Sequence, residues 1–183
     1  MKSIAYVLAL IVASTAAAQG QASGPATAAP APRTQSDYYV PLYGVTAGIS
    51  IPVGRLADDH AAGYELGGVV EYAVSGQPYS LRGEAMVQHF ALKSGRTGDD
   101  SNLLSLGTTV VYRLQRSTAQ TFVTGGIAIY NATHEGTRPG VNAGTGVEIP
   151  LTGFSAVAEL RLHVMLADAR PILALPLTVG IRF

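Results

Sequence analysis

The chain has 183 residues, 12 basic against 12 acidic side chains, a formal net charge of zero and no cysteine. This balance gives no basic surface with which to bind nucleic acid, and without cysteine no disulfide can hold an exported fold together. The length suits one domain preceded by a short processed segment.

Residues 1–18 have the three parts of a secretory signal peptide. Lys2 and the amino terminus are positive, residues 4–12 are apolar, and residues 16–18 are three small alanines. The apolar run is shorter than the ~20 residues that a membrane-spanning helix needs, and no cysteine is present for a lipoprotein anchor. We therefore expect export through the general secretory pathway with cleavage after Ala18.

Residues 19–37 form a second segment, rich in alanine and proline. Such a composition has too little apolar surface to pack, which predicts a flexible leader. We expect the folded domain to occupy residues 38–183.

The rest of the chain alternates between apolar and polar residues, which predicts an all-β domain. About eight segments show this alternation, near residues 39–53, 64–75, 78–92, 102–115, 119–131, 139–149, 153–166 and 171–183. Each is near or above the roughly 9–11 residues with which a tilted strand crosses a bilayer. The segment near 119–131 is apolar on both faces, so its register stays open.

The predicted connections alternate in length. Short ones lie near residues 76–77, 115–118 and 150–153, and longer polar ones lie near 54–63, 93–101 and 132–138. Transmembrane barrels have this rhythm, with tight periplasmic turns and longer outer loops. The last connection, near 167–170, is short for an outer loop.

Two kinds of eight-stranded barrel share this strand pattern. A lipocalin-like barrel turns its apolar face inward, whereas a membrane barrel turns it toward lipid. Aromatic residues favour the membrane barrel, because amphipathic rings gather at the headgroup level of a bilayer. If the first strand rises from the periplasm, six apolar-face aromatics form a periplasmic-side girdle: Tyr43, Tyr72, Tyr79, Tyr112, Phe154 and Phe183.

The opposite face of the strands carries nine charged residues: Glu65, Glu71, Arg82, Glu84, Arg113, Glu148, Glu159, Arg161 and Arg182. A charge that faces the middle of a bilayer costs roughly 2–4 kcal/mol, so we expect these side chains to pair inside an enclosed interior. Glu71 and Arg82 lie symmetrically about the turn at residues 76–77. A tight hairpin there would place them side by side.

The end of the chain continues the alternation as LTVGIRF, and residues 43–56 read YGVTAGISIPVGRL. In both stretches the sequence resembles small bacterial outer-membrane β-barrels of the OmpA/OmpX-like kind, over about residues 38–183. The resemblance implies a single eight-stranded antiparallel transmembrane barrel, surrounded by outer-membrane lipid and lipopolysaccharide. It also implies a terminal signal for the barrel-assembly machinery, formed here by Leu177, Val179, Gly180, Ile181 and Phe183. We expect a monomer.

The sequence shows no catalytic arrangement. Outer-membrane lipid A deacylases of this size carry a serine two residues after a histidine, but here the residue two positions after His163 is Met165. Carboxylates such as Asp58 and Asp59 lack the regular ligand spacing of a calcium site. We therefore expect neither enzyme activity nor a cofactor or metal.

Two functions remain open. In the first, the barrel is closed by its side chains and has a structural or surface-contact role. In the second, it is a narrow pore for ions or small solutes, because small inward residues leave room: Gly44, Gly48, Gly67, Gly107, Gly140, Gly144 and Gly146. The same glycines could instead make space for long arginine side chains.

Overall fold

The computed structural model describes residues 41–74, 76–114, 119–133, 135–167 and 170–183, so the predicted signal peptide (1–18) and leader (19–37) lie outside the described residues. The strands are β1 (Leu42–Val53), β2 (Gly63–Ala73), β3 (Tyr79–Phe90), β4 (Ser101–Arg113), β5 (Gln120–Ala132), β6 (Gly136–Pro150), β7 (Ser155–Met165) and β8 (Ile172–Arg182). One short helix, α1 (Arg55–Asp59), follows β1. No helix in these ranges is long and apolar enough to cross a membrane.

The eight strands close into one antiparallel barrel in which neighbours in the chain are neighbours in the sheet. β1 and β8 complete the ring, from Gly44 opposite Arg182 to Val53 opposite Leu173. Closure pairs the two edges that an open sheet would expose. The predicted strand number, the all-β class and the pairing of the last strand with the first are confirmed.

The alternation sorts side chains between an outer wall and an interior. Large apolar side chains stay exposed on the outer wall, among them Leu106 at 66% and Ile127 at 67%, whereas Arg82 and Glu71 inside are each 1% exposed. An apolar surface of this extent suits lipid rather than water. The membrane-barrel arrangement is therefore confirmed, and the lipocalin-like alternative is wrong.

The register of β5, which the sequence left open, turns two large rings inward. Phe122 and Tyr130 are fully buried, whereas Ile127 and Ile129 lie on the outer wall. Phe122 pairs with Gly146 of β6, where the neighbouring glycine has no side chain to compete with the ring. The strand therefore contributes aromatic volume, rather than charge, to the interior.

The connections define two ends of the barrel. The tight-turn end is where β2 meets β3, β4 meets β5 and β6 meets β7, and the loop end is where β1 meets β2, β3 meets β4, β5 meets β6 and β7 meets β8. The predicted long loop at 132–138 is wrong, because β6 already begins at Gly136, directly opposite Ala132. The outward side chains at the end of β5 and the start of β6 are polar, and Asn131 Nδ2 donates to Thr137 Oγ1 at 2.8 Å. The first residues of β6 continue beyond the apolar wall, and their polar sequence is therefore typical of a loop. The long connection predicted at 54–63 is present between β1 and β2, and it contains the helix α1.

Candidate functional site

The barrel interior contains eight charged side chains that ion pairs join into one interior network: Glu71, Arg82, Glu84, Arg113, Glu148, Glu159, Arg161 and Arg182. Arg161, together with Glu84, is the member of this network that lies farthest from the tight-turn end. The two terminal nitrogens of this guanidinium contact Glu84 Oε1 at 2.5 Å and Glu159 Oε1 at 2.6 Å. One arginine on β7 thus holds carboxylates from β3 and β7.

Arg82 continues the network toward the tight-turn end. Its Nη1 lies 2.9 Å from Glu159 Oε2, and its Nε lies 3.2 Å from Glu71 Oε2. Glu71 and Arg82 stand directly opposite each other in the β2–β3 register, as the symmetry about residues 76–77 predicted. Arg82 thereby links the hairpin pair to the carboxylate of a distant strand.

Two further arginines complete the network at the tight-turn end. Arg113 Nη2 lies 2.6 Å from Glu71 and 3.1 Å from Glu148, and Arg182 Nη1 lies 3.1 Å and 3.3 Å from the same two carboxylates. The Ser80 hydroxyl donates to Glu71 and accepts from Arg113. The Arg113 side chain is 22% exposed, so at this end the network reaches the mouth of the barrel.

The interior network is electrically balanced, with four carboxylates and four guanidinium groups. A buried charge is tolerated when it is paired and its hydrogen-bonding groups are satisfied. Every member has at least one partner of opposite sign within 3.3 Å. The network therefore fills the lumen with charge and leaves no net charge behind.

Glu65 is a correction to the predicted set of nine. It is 2% exposed, but no ion pair joins it to the network in the part of the chain that the structure describes. Gln88 Nε2 donates to its Oε2 at 2.6 Å, and the Ser50 hydroxyl donates to Gln88 Oε1 at 3.1 Å. Glu65 stands opposite Gln88 in the register, whereas the guanidinium of Arg161 is already held by two other carboxylates.

Aromatic and aliphatic side chains fill the space that the network leaves. The Phe122 ring lies 5.7 Å from the guanidinium of Arg82 and 5.5 Å from that of Arg182, distances at which a ring attracts a cation. Phe122 also packs with Val111 and Val157. Apolar side chains therefore occupy the space beside Arg82 and Arg182 in the lumen.

An apolar cap covers the interior near the loop end. It consists of Leu56, Phe90, Leu103, Ala128, Tyr130, Ala132, Met165, Ile172 and Ala174. Leu56 comes from α1 and is 8% exposed, so the short helix covers the mouth. Below it, the Tyr130 hydroxyl lies 3.1 Å from His163 Nδ1. Sequence reasoning missed these residues, although Phe90 and Met165 share the inward phase of Glu84 and Arg161.

A side chain at the inward glycines would meet neighbouring atoms. A Cβ atom at Gly146 would lie 2.3 Å from Phe122 Cζ, and one at Gly140 would lie 2.7 Å from the Tyr130 ring. At Gly44 it would lie 2.9 Å from Arg182 Cγ, which is the room for an arginine that the sequence suggested. At Gly48 the obstacle is backbone, with Leu177 O at 2.1 Å. Neighbouring atoms occupy the space at each of these positions.

Comparison with known structures finds the same architecture. Neisserial surface protein A (NspA) is 16% identical, with 78% of this chain and 95% of that chain covered and a TM-score of 0.61. OprG of Pseudomonas aeruginosa is 11% identical, with coverage of 80% and 97% and a TM-score of 0.52. Ail of Yersinia pestis in a phospholipid nanodisc is 13% identical, with coverage of 78% and 99% and a TM-score of 0.51. No family model and no curated protein matches the sequence.

The chain has the fold of the small bacterial outer-membrane β-barrels.

In this outer-membrane barrel fold, the six predicted girdle aromatics all lie on the outer wall, 37–59% exposed. The register brings them together at the tight-turn end: Tyr79 pairs with Tyr112, and Phe183 exchanges backbone hydrogen bonds with Tyr43. Leu177, Val179, Ile181 and Phe183 of the predicted assembly signal are also exposed on the outer wall. Gly180 faces inward against Thr46. The interfacial and assembly roles of these residues stay predictions.

The loop end of the barrel is a folded surface. Lys93 Nζ donates to Ala57 O at 2.5 Å, and the backbone nitrogen of Lys93 donates to Asp59 O at 2.9 Å. These bonds tie residues 91–100 to α1. On the other side of α1, Arg55 pairs with Glu135 at 2.6 Å. Across the described ranges, no three His, Cys, Asp or Glu side chains are grouped so as to hold a metal ion.

Proposed function

We propose that this protein resides in the bacterial outer membrane as a closed barrel with a structural or surface-contact role. The balanced interior network carries the proposal, because it fills the lumen with paired side chains from the tight-turn end to Glu84. The apolar cap, which includes Phe90 and Leu56, covers the other side. An ion that crossed would have to break several buried ion pairs and then pass an apolar layer.

The proposal also specifies what surrounds the barrel. Outer-membrane lipid and lipopolysaccharide would cover the apolar wall, and the girdle aromatics would lie at the periplasmic headgroups. The tight-turn end would then face the periplasm and the loop end the exterior. We further propose export through the general secretory pathway, recognition of β8 by the barrel-assembly machinery and a monomeric state.

A surface-contact role draws its support from the loop end. Its backbone is held by hydrogen bonds between loops, such as Ala61 N to Ala91 O at 2.9 Å. Ordered loops present fixed side chains to a partner, which reduces the entropy lost on binding. Exposed residues such as Arg96 and Asp99 would supply the contacting groups.

We expect the refolded protein to be silent in planar bilayers. Conductance is measured on wild-type protein and on the double variant Arg82→Ala/Phe122→Ala, which removes a central cation and the ring packed against it. The wild type should give no reproducible current steps because the lumen is filled. Steps from the wild type would instead support a narrow pore, which the unpaired interior atoms Arg82 Nη2 and Asn142 Nδ2 would favour through local hydration. The double variant shows whether emptying the centre is enough to conduct.

Complementation separates the structural role from surface contact. A strain lacking the gene is complemented with the wild type or with a variant in which residues 94–98 are replaced by a short Gly–Ser turn. This variant keeps Lys93, which bonds to α1, and Asp100, which accepts from the backbone nitrogen of Leu92. If the barrel itself strengthens the envelope, both should restore resistance to detergent. Restoration by the wild type alone, with equal amounts of folded protein, would assign the role to the loop end. No loss of resistance in the deletion strain would contradict a structural role.

A further inference from the structure

Glu65 is the one interior carboxylate that the balanced network does not include, within the residues that the structure describes. The four carboxylates of the network match its four guanidinium groups, so Glu65 has no cation left to neutralise it. It lies deep in the barrel, 2% exposed. An ionised carboxylate in such surroundings loses its hydration and gains only the neutral Gln88 amide as a partner, so it becomes neutral instead.

The groups around Glu65 give it no counter-charge of its own. On its own strand the next inward charge is Glu71, which three arginines contact. On β3 the neutral amide of Gln88 donates to it. The charges that act on it from across the interior are those of Glu84 on β3 and of Arg161 and Glu159 on β7. Two acidic groups thus oppose one arginine. That arginine is already engaged at 2.5 Å and 2.6 Å by the same two acids.

His163 is the other group that could balance the charge, and its contacts argue against it. Its Nδ1 faces the Tyr130 hydroxyl, but its Nε2 has no hydrogen-bond partner among the described residues. A protonated imidazole has two N–H donors, and here one would be buried without an acceptor. His163 also follows Arg161 by two residues on the same inward face, where a second positive charge would be repelled.

We propose that Glu65 is a proton-binding site and is a neutral carboxylic acid in the folded barrel. Its Oε2 accepts from Gln88, so the proton resides on Oε1. In the unfolded chain a glutamate is ionised above about pH 5, and folding at neutral pH therefore takes up one proton at this residue. Stability contributed by the site is present in acid and decreases as the pH rises. The proton couples the barrel's folding equilibrium to pH.

The test measures the reversible unfolding of the wild type and of Glu65→Gln in detergent micelles between pH 5 and pH 7. Glutamine copies the shape and the neutrality of the protonated acid. Relative to Glu65→Gln, the folding equilibrium constant of the wild type should decrease about tenfold per pH unit, because one proton is bound on folding. Glu148→Gln is the control, because Glu148 pairs with Arg113 and Arg182 and not with Arg161, and it should not remove this slope. Parallel curves for the wild type and Glu65→Gln would overturn the proposal.

Infrared spectroscopy identifies the residue that holds the proton. The folded wild type should show a protonated-carboxyl band that Glu65→Gln lacks and Glu148→Gln retains. Loss of the band in Glu148→Gln alone, or its absence from the wild type, would overturn the proposal. If Glu65→Gln does not fold, proton uptake is measured instead during refolding of the wild type in weak buffer at pH 6, and the proposal expects about one proton per molecule. No uptake would overturn the proposal. Stability that follows sodium concentration rather than pH would also overturn it and would place a cation at Glu65 instead.

Discussion

Replacing Arg82 with methionine is expected to lower the free energy of unfolding of the barrel by about 3–5 kcal/mol, the range for removing one partner of a buried ion pair. Methionine keeps much of the apolar stem, so the loss comes from charge rather than from a cavity. Glu71 and Glu159 would lose their shared cation, and the interior network would carry one excess negative charge. Reversible unfolding in detergent micelles, followed by the change in electrophoretic mobility on unfolding, measures the effect.

Arg96→Met is the matched control for Arg82→Met. Arg96 pairs with Asp59 at 3.5 Å, and both side chains are about half exposed, so its removal should cost about 0–1 kcal/mol. Adding Glu159→Gln to Arg82→Met restores the balance of charge and should recover part of the stability. Equal losses for Arg82→Met and Arg96→Met would show that the interior pairs do not stabilise the barrel.

Gly48→Ala is expected to prevent or severely weaken closure between β1 and β8. The added Cβ would lie 2.1 Å from Leu177 O and 2.6 Å from Thr178 Cα. These are backbone atoms of the paired strand, so they cannot rotate away as a side chain can. Overpacking commonly costs about 1–3 kcal/mol, and we expect at least the upper value because the strain falls on the ladder that closes the ring.

Gly68→Ala provides the comparison for Gly48→Ala. Gly68 lies on the outer wall, and a Cβ there would meet no atom within 4 Å. The same substitution at that position should leave stability unchanged or slightly improved, because alanine loses less conformational freedom in a strand than glycine. The fraction of refolded protein that shifts mobility on heating reports closure. Equal fractions for the two variants would refute the steric argument at Gly48.

Much of the fold could be predicted from the sequence because a barrel wall separates two environments along every strand. Side chains alternate across the wall, so period-two alternation determines which residues share a face. The six aromatics and the terminal residues of β8 fell on the outer wall for this reason. The continuation of β6 to Gly136 could not be predicted so well, because beyond the bilayer both faces of a strand meet water and the alternation disappears.

The candidate site was predicted less completely than the wall. Alternation placed nine charges inward, but it carries no information about how far each side chain reaches along the lumen. Glu65 therefore could not be separated from the eight networked residues by sequence alone. Phe122 was also missed, because β5 is apolar on both faces and only its pairing with Gly146 selects the inward phase.

The sequence by itself determined the alternation, the strand number and which face of each strand is apolar. It also determined the hairpin pair of Glu71 and Arg82. These features follow from residues close together in the chain. Only the tertiary structure decided the pairing of Arg161 with Glu84, which are 77 positions apart. That contact depends on the closure of the ring, which brings β3 and β7 to face each other across the lumen. Ring closure also decided that Glu65 would be left without a cation.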